Sequence, residues 1–459
     1  MSRSAQVPFA RLEEIAGSAS VVTDAAEIAA REVCGIQPSV VVRPADTVQI
    51  AEILRFAAIE KLAVIPTGGC TKLGIGSRPT RYDIALDLSR MNRMLAYDPH
   101  DLTLGVEPGV RIEDLLHALA QEKQFLPLAV PFLDRATIGG IVATNSSSPL
   151  RHAYGGVRDF CLGMEFVTGE GAQAKSGGRV VKNVTGYDLH KLLIGSLGTL
   201  AVITRVNFRT FPMTHAQGTF VATFSAAESA CDFCRVVSHS VLTPQILEIA
   251  NPGAAALLFS GEISARLEPR TWTVIVSAAG HPAVVKRHER DLAQLAGTAN
   301  ADEFLPLTDS ESHSVLAQIR EFPRLMKERD PFAAIFRISA APGAMAPLLG
   351  RLRVLAAKRE LDFVALARAS GILYAVFLPQ RQMAAPPSSM PGIFEEVFLA
   401  CGQPEMQASA MLEWCPAEFK TSAEVVWGPS RPDFELMRRV KHSFDPQSVL
   451  APGRFAGGI

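Results

Sequence analysis

The sequence predicts an α+β protein of two domains, on three observations. From Pro38 to about Pro212, short apolar runs alternate with glycine clusters and amphipathic helices. After Pro212 the glycine clusters stop, and longer helical patterns take over with strand-like runs between them. The last segment returns to turn signals, Asp445-Pro446 and Pro452-Gly453. The implied order is a helical extension over 1–37, a first domain over 38–213 and a second over 214–430. A segment over 431–459 then comes back to the first domain.

In the first domain, Thr47 to Lys61 reads as a helix with Val48, Ile50, Ala51, Ile53, Leu54 and Ala57 on a broad apolar face, capped by Asp46 or Thr47. Leu62 to Pro66 is a strand that runs into glycine. Ile84 to Leu88 and Leu102 to Val106 alternate as strands, and Ile112, Leu115, Leu116 and Leu119 mark a second helix. Leu200, Val202, Val206 and Phe208 keep period two, giving a long half-buried strand to Thr210. In the second domain, helices are expected over Ala227 to Leu242, Ala283 to Leu295 and Met345 to Arg359. Strands are expected over Thr271 to Ser277, Ala333 to Ile338 and Ile372 to Leu378. Ala384 to Gly392 is a loop by composition.

Of the 459 residues, 48% are apolar and 20% charged, enough to bury a core. The 45 basic residues nearly balance the 46 acidic ones, which gives no field to steer the chain onto nucleic acid or anionic lipid. Seven scattered cysteines, with no apolar run in Met1 to Gly17, point to reduced thiols in the cytoplasm. Cys231 and Cys234 have C-x-x-C spacing but lie in a helical run without a second pair. No cysteine spacing suits an iron-sulfur cluster. Leu192 to Thr204 is broken by glycine and is shorter than the roughly 20 residues a membrane span needs.

The chemistry is carried by four glycine-paired loops. Pro66 to Ser77 reads PTGGCTKLGIGS directly after a strand. Gly68 and Gly69 allow torsions that turn N–H groups toward an anion, Thr71 adds a hydroxyl and Lys72 a charge. The loop matches neither G-x-x-x-x-G-K-[ST] nor a full dinucleotide fingerprint, since a third glycine is missing after Gly74 and Gly76. Then come Thr137 to Asn145, TIGGIVATN; Tyr154-Gly155-Gly156 with Arg158, Asp159 and Gly163; and Gly177-Gly178, followed by Lys182 to Asp188 and by Gly195 to Leu200. Four such loops joined by strands suit one extended ligand of dinucleotide shape.

In order and spacing, TIGGIVATN, YGGVRDFCLG, VVKNVTGYDL and GSLGTLAVIT resemble the FAD-binding domain of the flavin-linked oxidases related to vanillyl-alcohol oxidase. Trp427-Gly428-Pro429, Lys441-His442-Ser443-Phe444-Asp445-Pro446 and Pro452-Gly453-Arg454 bring the likeness closer to the FAD-binding E subunits of bacterial glycolate oxidase. The likeness is strongest up to Pro212 and patchy from Thr214 to Met411. It implies a two-lobed FAD-binding domain of the vanillyl-alcohol-oxidase type plus an α/β cap domain. It also implies that Thr67, Gly68, Gly69, Cys70, Thr71 and Lys72 hold the pyrophosphate. Thr137, Ile138, Gly139 and Gly140 take the pyrophosphate and adenosine side, and Tyr154, Gly155 and Asp159 the middle of the cofactor. Ile203 falls where backbone pairs with adenine, and Pro66, Asn145, Gly198 and Arg454 complete the set. Several relatives bind flavin covalently through a histidine in the first loop. Cys70 stands there and no histidine is near, so non-covalent FAD is expected.

The same resemblance implies oxidation of glycolate or a similar 2-hydroxy acid, beside a catalytic flavin subunit and an iron-sulfur subunit, with any membrane contact made through those partners. The sister catalytic subunit carries a His-x-Gly-Asp-Gly-Asn segment; none occurs here, and the ten histidines, His281 and His313 among them, are isolated. The candidates for acting at the flavin are therefore the cations Lys182 and Lys441, Tyr187, and Arg337 as a carboxylate anchor. Arg454 is a third cation near the flavin. The alternative is a stand-alone FAD-dependent dehydrogenase of a 2-hydroxy acid or alcohol, for which the long stretch from Thr214 to Met411 leaves room. One departure from the relatives is Ala451, where asparagine is frequent.

Overall fold

The computed structural model describes residues 7–179, 186–259, 262–267, 271–380 and 390–459. The chain divides into two compact units. The first is built from 1–146, 156–213 and 420–459, the second from 147–155 and 214–419.

The first unit holds two larger sheets and a two-stranded ribbon of Gln124–Phe125 and Phe211–Pro212. In one, Val40–Val42, Ile84–Asp87 and Val64–Thr67 run parallel, with Val21–Val22 added antiparallel at the edge. Helix Thr47–Glu60 buries Ile50, Ala51, Ile53, Leu54 and Ala57 against this sheet. Asp46 caps it by accepting from the Gln49 amide at 2.9 Å, and Lys61 ends it in the left-handed region at φ 57°. The second sheet is antiparallel, in the order Met94–Asp98, Thr103–Val106, Ala201–Arg209, Cys161–Thr168, Gln173–Gly177. Helix Ile112–Gln121 packs Ile112, Leu115 and Leu119 into the core beneath it.

Ala201–Arg209 differs from the half-buried strand the period-two pattern implies. It is the central strand, and both its faces are covered. Val202 joins the core around helix Thr47–Glu60, while Ile203, Val206 and Phe208 join the core around Ile112 and Phe160.

The second unit is one antiparallel sheet of eight strands. Their order is Glu303–Pro306, Ala216–Phe224, Trp272–Gly280, Ile246–Ala250, Leu361–Arg368, Ile372–Pro379, Ala334–Ser339 and Ser409–Trp414. Helices Ala227–His239 and Met390–Cys401 place Phe233 against Phe224 and Phe394 against Phe336 on one face. Val315, Ile319 and Phe322 of helix Asp309–Arg329 pack on the other, with Val221, Ile275, Leu366 and Tyr374. Cys231 and Cys234 lie in helix Ala227–His239. Burial pushes the Cys231 thiol up to about 12 and raises the Cys234 thiol well above its ordinary value, as inert core groups require. Residues 384–389 of the expected loop lie outside the described residues, whereas Met390, Pro391 and Gly392 begin a helix.

One row of polar side chains crosses the face that carries Tyr374. Glu248 and Arg368 pair at 3.0 Å with almost no exposure, the Arg368 guanidinium stands 5.2 Å from the Tyr374 ring, and Arg337 pairs with Glu413 at 3.5 Å. Burial outweighs Arg368 and pushes the Glu248 carboxyl from 4.5 up to about 7. The native state then keeps a proton that the unfolded chain releases near 4.5. This contribution favours the fold below about pH 4.5 and is lost as pH rises through about 7. Urea unfolding at several pH values is expected to show stability falling across that window, and Glu248→Gln to flatten the fall. A variant that keeps the full slope rejects the assignment.

Candidate functional site: a glycine-lined cleft

Strand Val64–Thr67 delivers the chain into the first glycine loop, and the packing there leaves no room for side chains. A Cβ on Gly68 would lie 2.4 Å from Thr137 Oγ1, and one on Gly69 would lie 1.9 Å from the Arg135 carbonyl oxygen. Cys70 takes a left-handed φ of 54° and donates its thiol to the Gly68 carbonyl at 3.4 Å. The amides of Gly68, Gly69, Cys70 and Thr71 find no acceptor among the described residues. A run of free N–H groups on glycine-rich backbone is the donor set an anionic diphosphate requires.

The facing wall is Thr137 and helix Ile138–Ala143. The Gly139 amide donates to the Pro108 carbonyl at 2.8 Å, and a Cβ there would meet Pro108 Cβ at 2.8 Å. Lys72 Nζ bridges to Ser146 Oγ at 2.8 Å, and Ser146 to Thr144 Oγ1 at 2.9 Å. The cleft is lined by Pro66, Thr67, Gly68, Gly69, Cys70, Thr71, Lys72, Thr137, Gly140 and Arg454. It continues along Gly139, Gly198 and Ile203. At its far end the ladder between Ala201–Arg209 and Cys161–Thr168 skips Thr204, next to Ile203, and Thr204 Oγ1 is buried with no partner among the described residues. A β-bulge of this kind exposes backbone beside the strand.

Not every expected residue joins this cleft. Ile138 is fully buried in the core, and its amide donates to the Val110 carbonyl at 2.9 Å. Asn145, at a left-handed φ of 46°, follows helix Ile138–Ala143. Asp159 Oδ2 accepts from the Gly156 amide at 2.7 Å and so caps helix Val157–Phe160. Tyr154 and Gly155 belong to the second unit, where the Tyr154 hydroxyl accepts from Gln245 Nε2 at 2.8 Å.

The four residues expected to act at the flavin fare differently. Lys182 lies outside the described residues. Tyr187 is 89% exposed, and its carbonyl accepts from Ser176 Oγ at 3.0 Å, a hydroxyl also 3.0 Å from Nδ1 of the buried His190. Arg337 Nη2 donates to Met411 Sδ at 3.0 Å besides pairing with Glu413. Lys441 offers no cation to a ligand, since its three N–H bonds are spent. They reach the Thr199 carbonyl at 2.7 Å, Asp445 Oδ2 at 2.5 Å and the Leu450 carbonyl at 2.8 Å, and burial lowers its pKa. His281 caps helix Pro282–Thr298, and His313 Nδ1 lies 2.7 Å from the Asp309 carbonyl on an exposed face.

Motif reading missed Lys420, for no motif surrounds it, and Ser146, a serine among three. Arg454 is 3% exposed. Its Nη2 donates to the carbonyls of Leu73, at 2.7 Å, and Ile75, while its Nε stays buried without a partner among the described residues. Ala451 sits in the core beside Ile65 at a left-handed φ of 43° and does not line the cleft. Asparagine tolerates that backbone better than alanine does.

Comparison with known proteins matches this geometry. Residues 38–177 match the family described as "FAD binding domain", and residues 427–455 "FAD linked oxidases, C-terminal domain". The glycolate oxidase subunit GlcD of Bacillus subtilis is 23% identical over 91% of this chain and 88% of its own. A D-lactate dehydrogenase of Archaeoglobus fulgidus is 26% identical over 90% of each. A mitochondrial D-2-hydroxyglutarate dehydrogenase of Danio rerio is 38% identical over 37% of this chain and 32% of its own. In fold, p-cresol methylhydroxylase superposes with a TM-score of 0.77 at 15% identity, over 97% of this chain and 95% of that one. The 4-ethylphenol oxidase of Gulosibacter chungangensis superposes at 0.76 and 17%, over 98% and 97%. The donors, the glycines and the buried Arg454 fit FAD. The chain carries the FAD-binding domain and the C-terminal domain of FAD-linked oxidases that these matches describe, has the fold of the vanillyl-alcohol-oxidase type, and is an FAD-dependent oxidoreductase.

Proposed function

We propose that this chain is the FAD-binding subunit of a glycolate oxidase complex, supporting oxidation of glycolate or a similar 2-hydroxy acid to the 2-oxo acid. Gly68 to Thr71 offer amides to the pyrophosphate, Lys72 and Arg454 add charge, and the bulge beside Ile203 receives the adenine. Held there, FAD would supply the two-electron acceptor chemistry that this oxidation needs. Arg337 anchors the substrate carboxylate, exchanging its loose 3.5 Å pair with Glu413 for a charge-assisted contact. A catalytic flavin subunit and an iron-sulfur subunit complete the complex in the cytoplasm. In this reading membrane contact is made through those partners; no helix among the described residues is long and apolar enough to cross a membrane. The observation that carries the subunit role is the want of a His-x-Gly-Asp-Gly-Asn segment in all 459 residues. The substrate class is supported by the names of the two relatives matched over nine-tenths of the chain.

A second reading, a stand-alone 2-hydroxy-acid dehydrogenase, is supported by the D-lactate dehydrogenase matched over nine-tenths of the chain. Anaerobic mixing of the purified chain with glycolate or D-lactate separates the two. The subunit reading expects the flavin absorbance to persist until partner subunits are added, and bleaching of the isolated chain replaces it with the second.

A further inference from the structure

We infer that Lys420 is a positioning residue for FAD, fixing the polarity of the first glycine loop from behind. Lys420 is where the chain re-enters the first unit, and it is 2% exposed. Its ammonium donates to the carbonyls of Gly74 and, at 3.1 Å, Gly76. Arg454 Nη2 takes the two alternate carbonyls, Leu73 and Ile75. Four successive carbonyls thus end on two buried cations.

The loop is divided by this arrangement. Residues 68–71 keep free N–H groups, while the acceptors of 73–76 are tied back, so that their lone pairs are kept from an incoming phosphate. Without the ammonium, the carbonyls of Gly74 and Gly76 lose a charge-assisted partner inside the protein, and the glycines on either side let the peptides turn. A turned peptide would present oxygen where the site needs hydrogen. Two buried positive charges also act on the diphosphate with little screening by salt. Lys420 touches the loop and does not line the cleft, and it lies outside the C-terminal family match at 427–455. The inference concerns cofactor affinity and stands apart from the substrate assigned above.

The test is titration of the apoprotein with FAD, followed by quenching of flavin fluorescence. Lys420→Met is expected to weaken FAD about tenfold or more, as loss of charge-assisted hydrogen bonds implies. ADP, which carries the same pyrophosphate, should weaken in step as a competitor, and riboflavin, which lacks it, should bind as before. Lys420→Arg should recover affinity to within about threefold, because it restores charge and donors. The apoprotein's circular dichroism and melting temperature report folding. If the Met variant does not fold, Lys420→Gln, which keeps a donor without the charge, takes its place with the same expected pattern. FAD affinity held within about twofold, or riboflavin lost together with FAD, overturns the inference.

Discussion

A Gly69→Ala variant is expected to purify colourless. The added methyl would stand 1.9 Å from the Arg135 carbonyl oxygen, a backbone atom that cannot swing aside as a side chain can. Either the loop over 66–72 or the turn before Thr137 has to move, and both walls of the cleft are made of those segments. Overpacking of this kind costs about 1–3 kcal/mol in a well-packed interior. Here the strain falls on the site itself, so FAD affinity should drop by roughly a hundredfold while the rest of the fold survives. Gly343→Ala in the second unit, where nothing lies within 4 Å of the new Cβ, is the matched control and should retain its colour. Yellow Gly69→Ala protein with unchanged FAD affinity would show that the cofactor lies elsewhere.

Lys441→Met should be the most destabilising single change in the C-terminal segment. Lys441 and Asp445 form a buried pair at 2.5 Å, and Asp445 also accepts from the amides of Val449 and Leu450 at 2.9 and 2.8 Å. Gly169 is pressed against the same carboxylate, for a Cβ there would come within 2.1 Å of Asp445 Oδ1. Removing the ammonium strands a carboxylate that water cannot reach, at a cost of about 3–5 kcal/mol. Urea unfolding of the apoprotein measures it. The double variant with Asp445→Asn should regain part of the loss, because the orphaned charge goes too. A loss below about 1 kcal/mol would mean that the pair is solvated.

The elements that were legible in the sequence are those whose local signals agree. Asp46 ahead of Thr47–Glu60 marked the first helix almost to the residue, and the i, i+3, i+7 spacing of Ile112, Leu115 and Leu119 marked the existence and buried face of the second. Glycine pairs marked the cleft because steric exclusion at Gly68 and Gly69 leaves a composition signature. Helix Asp309–Arg329 went unread: it is mostly polar and carries Pro323 in its interior, where a proline normally signals a break. Lys420 and the true duty of Lys441 were hidden for another reason. Both act on carbonyls far away in the chain, Gly74 in one case and Thr199 in the other, and backbone acceptors carry no residue code. A lysine in a motif reads the same whether its charge meets a ligand or the protein's own main chain.

The first unit is assembled from three stretches, with most of the second unit's residues between two of them. A nascent polypeptide therefore makes the glycine loop some 350 positions before Lys420 and some 380 before Arg454 leave the ribosome, at roughly 5–20 residues per second. Throughout that interval the loop lacks the two cations that tie back its carbonyls. Flavin loading is therefore expected late in biosynthesis, and a chain truncated before residue 420 should accumulate without cofactor however well its early strands have folded.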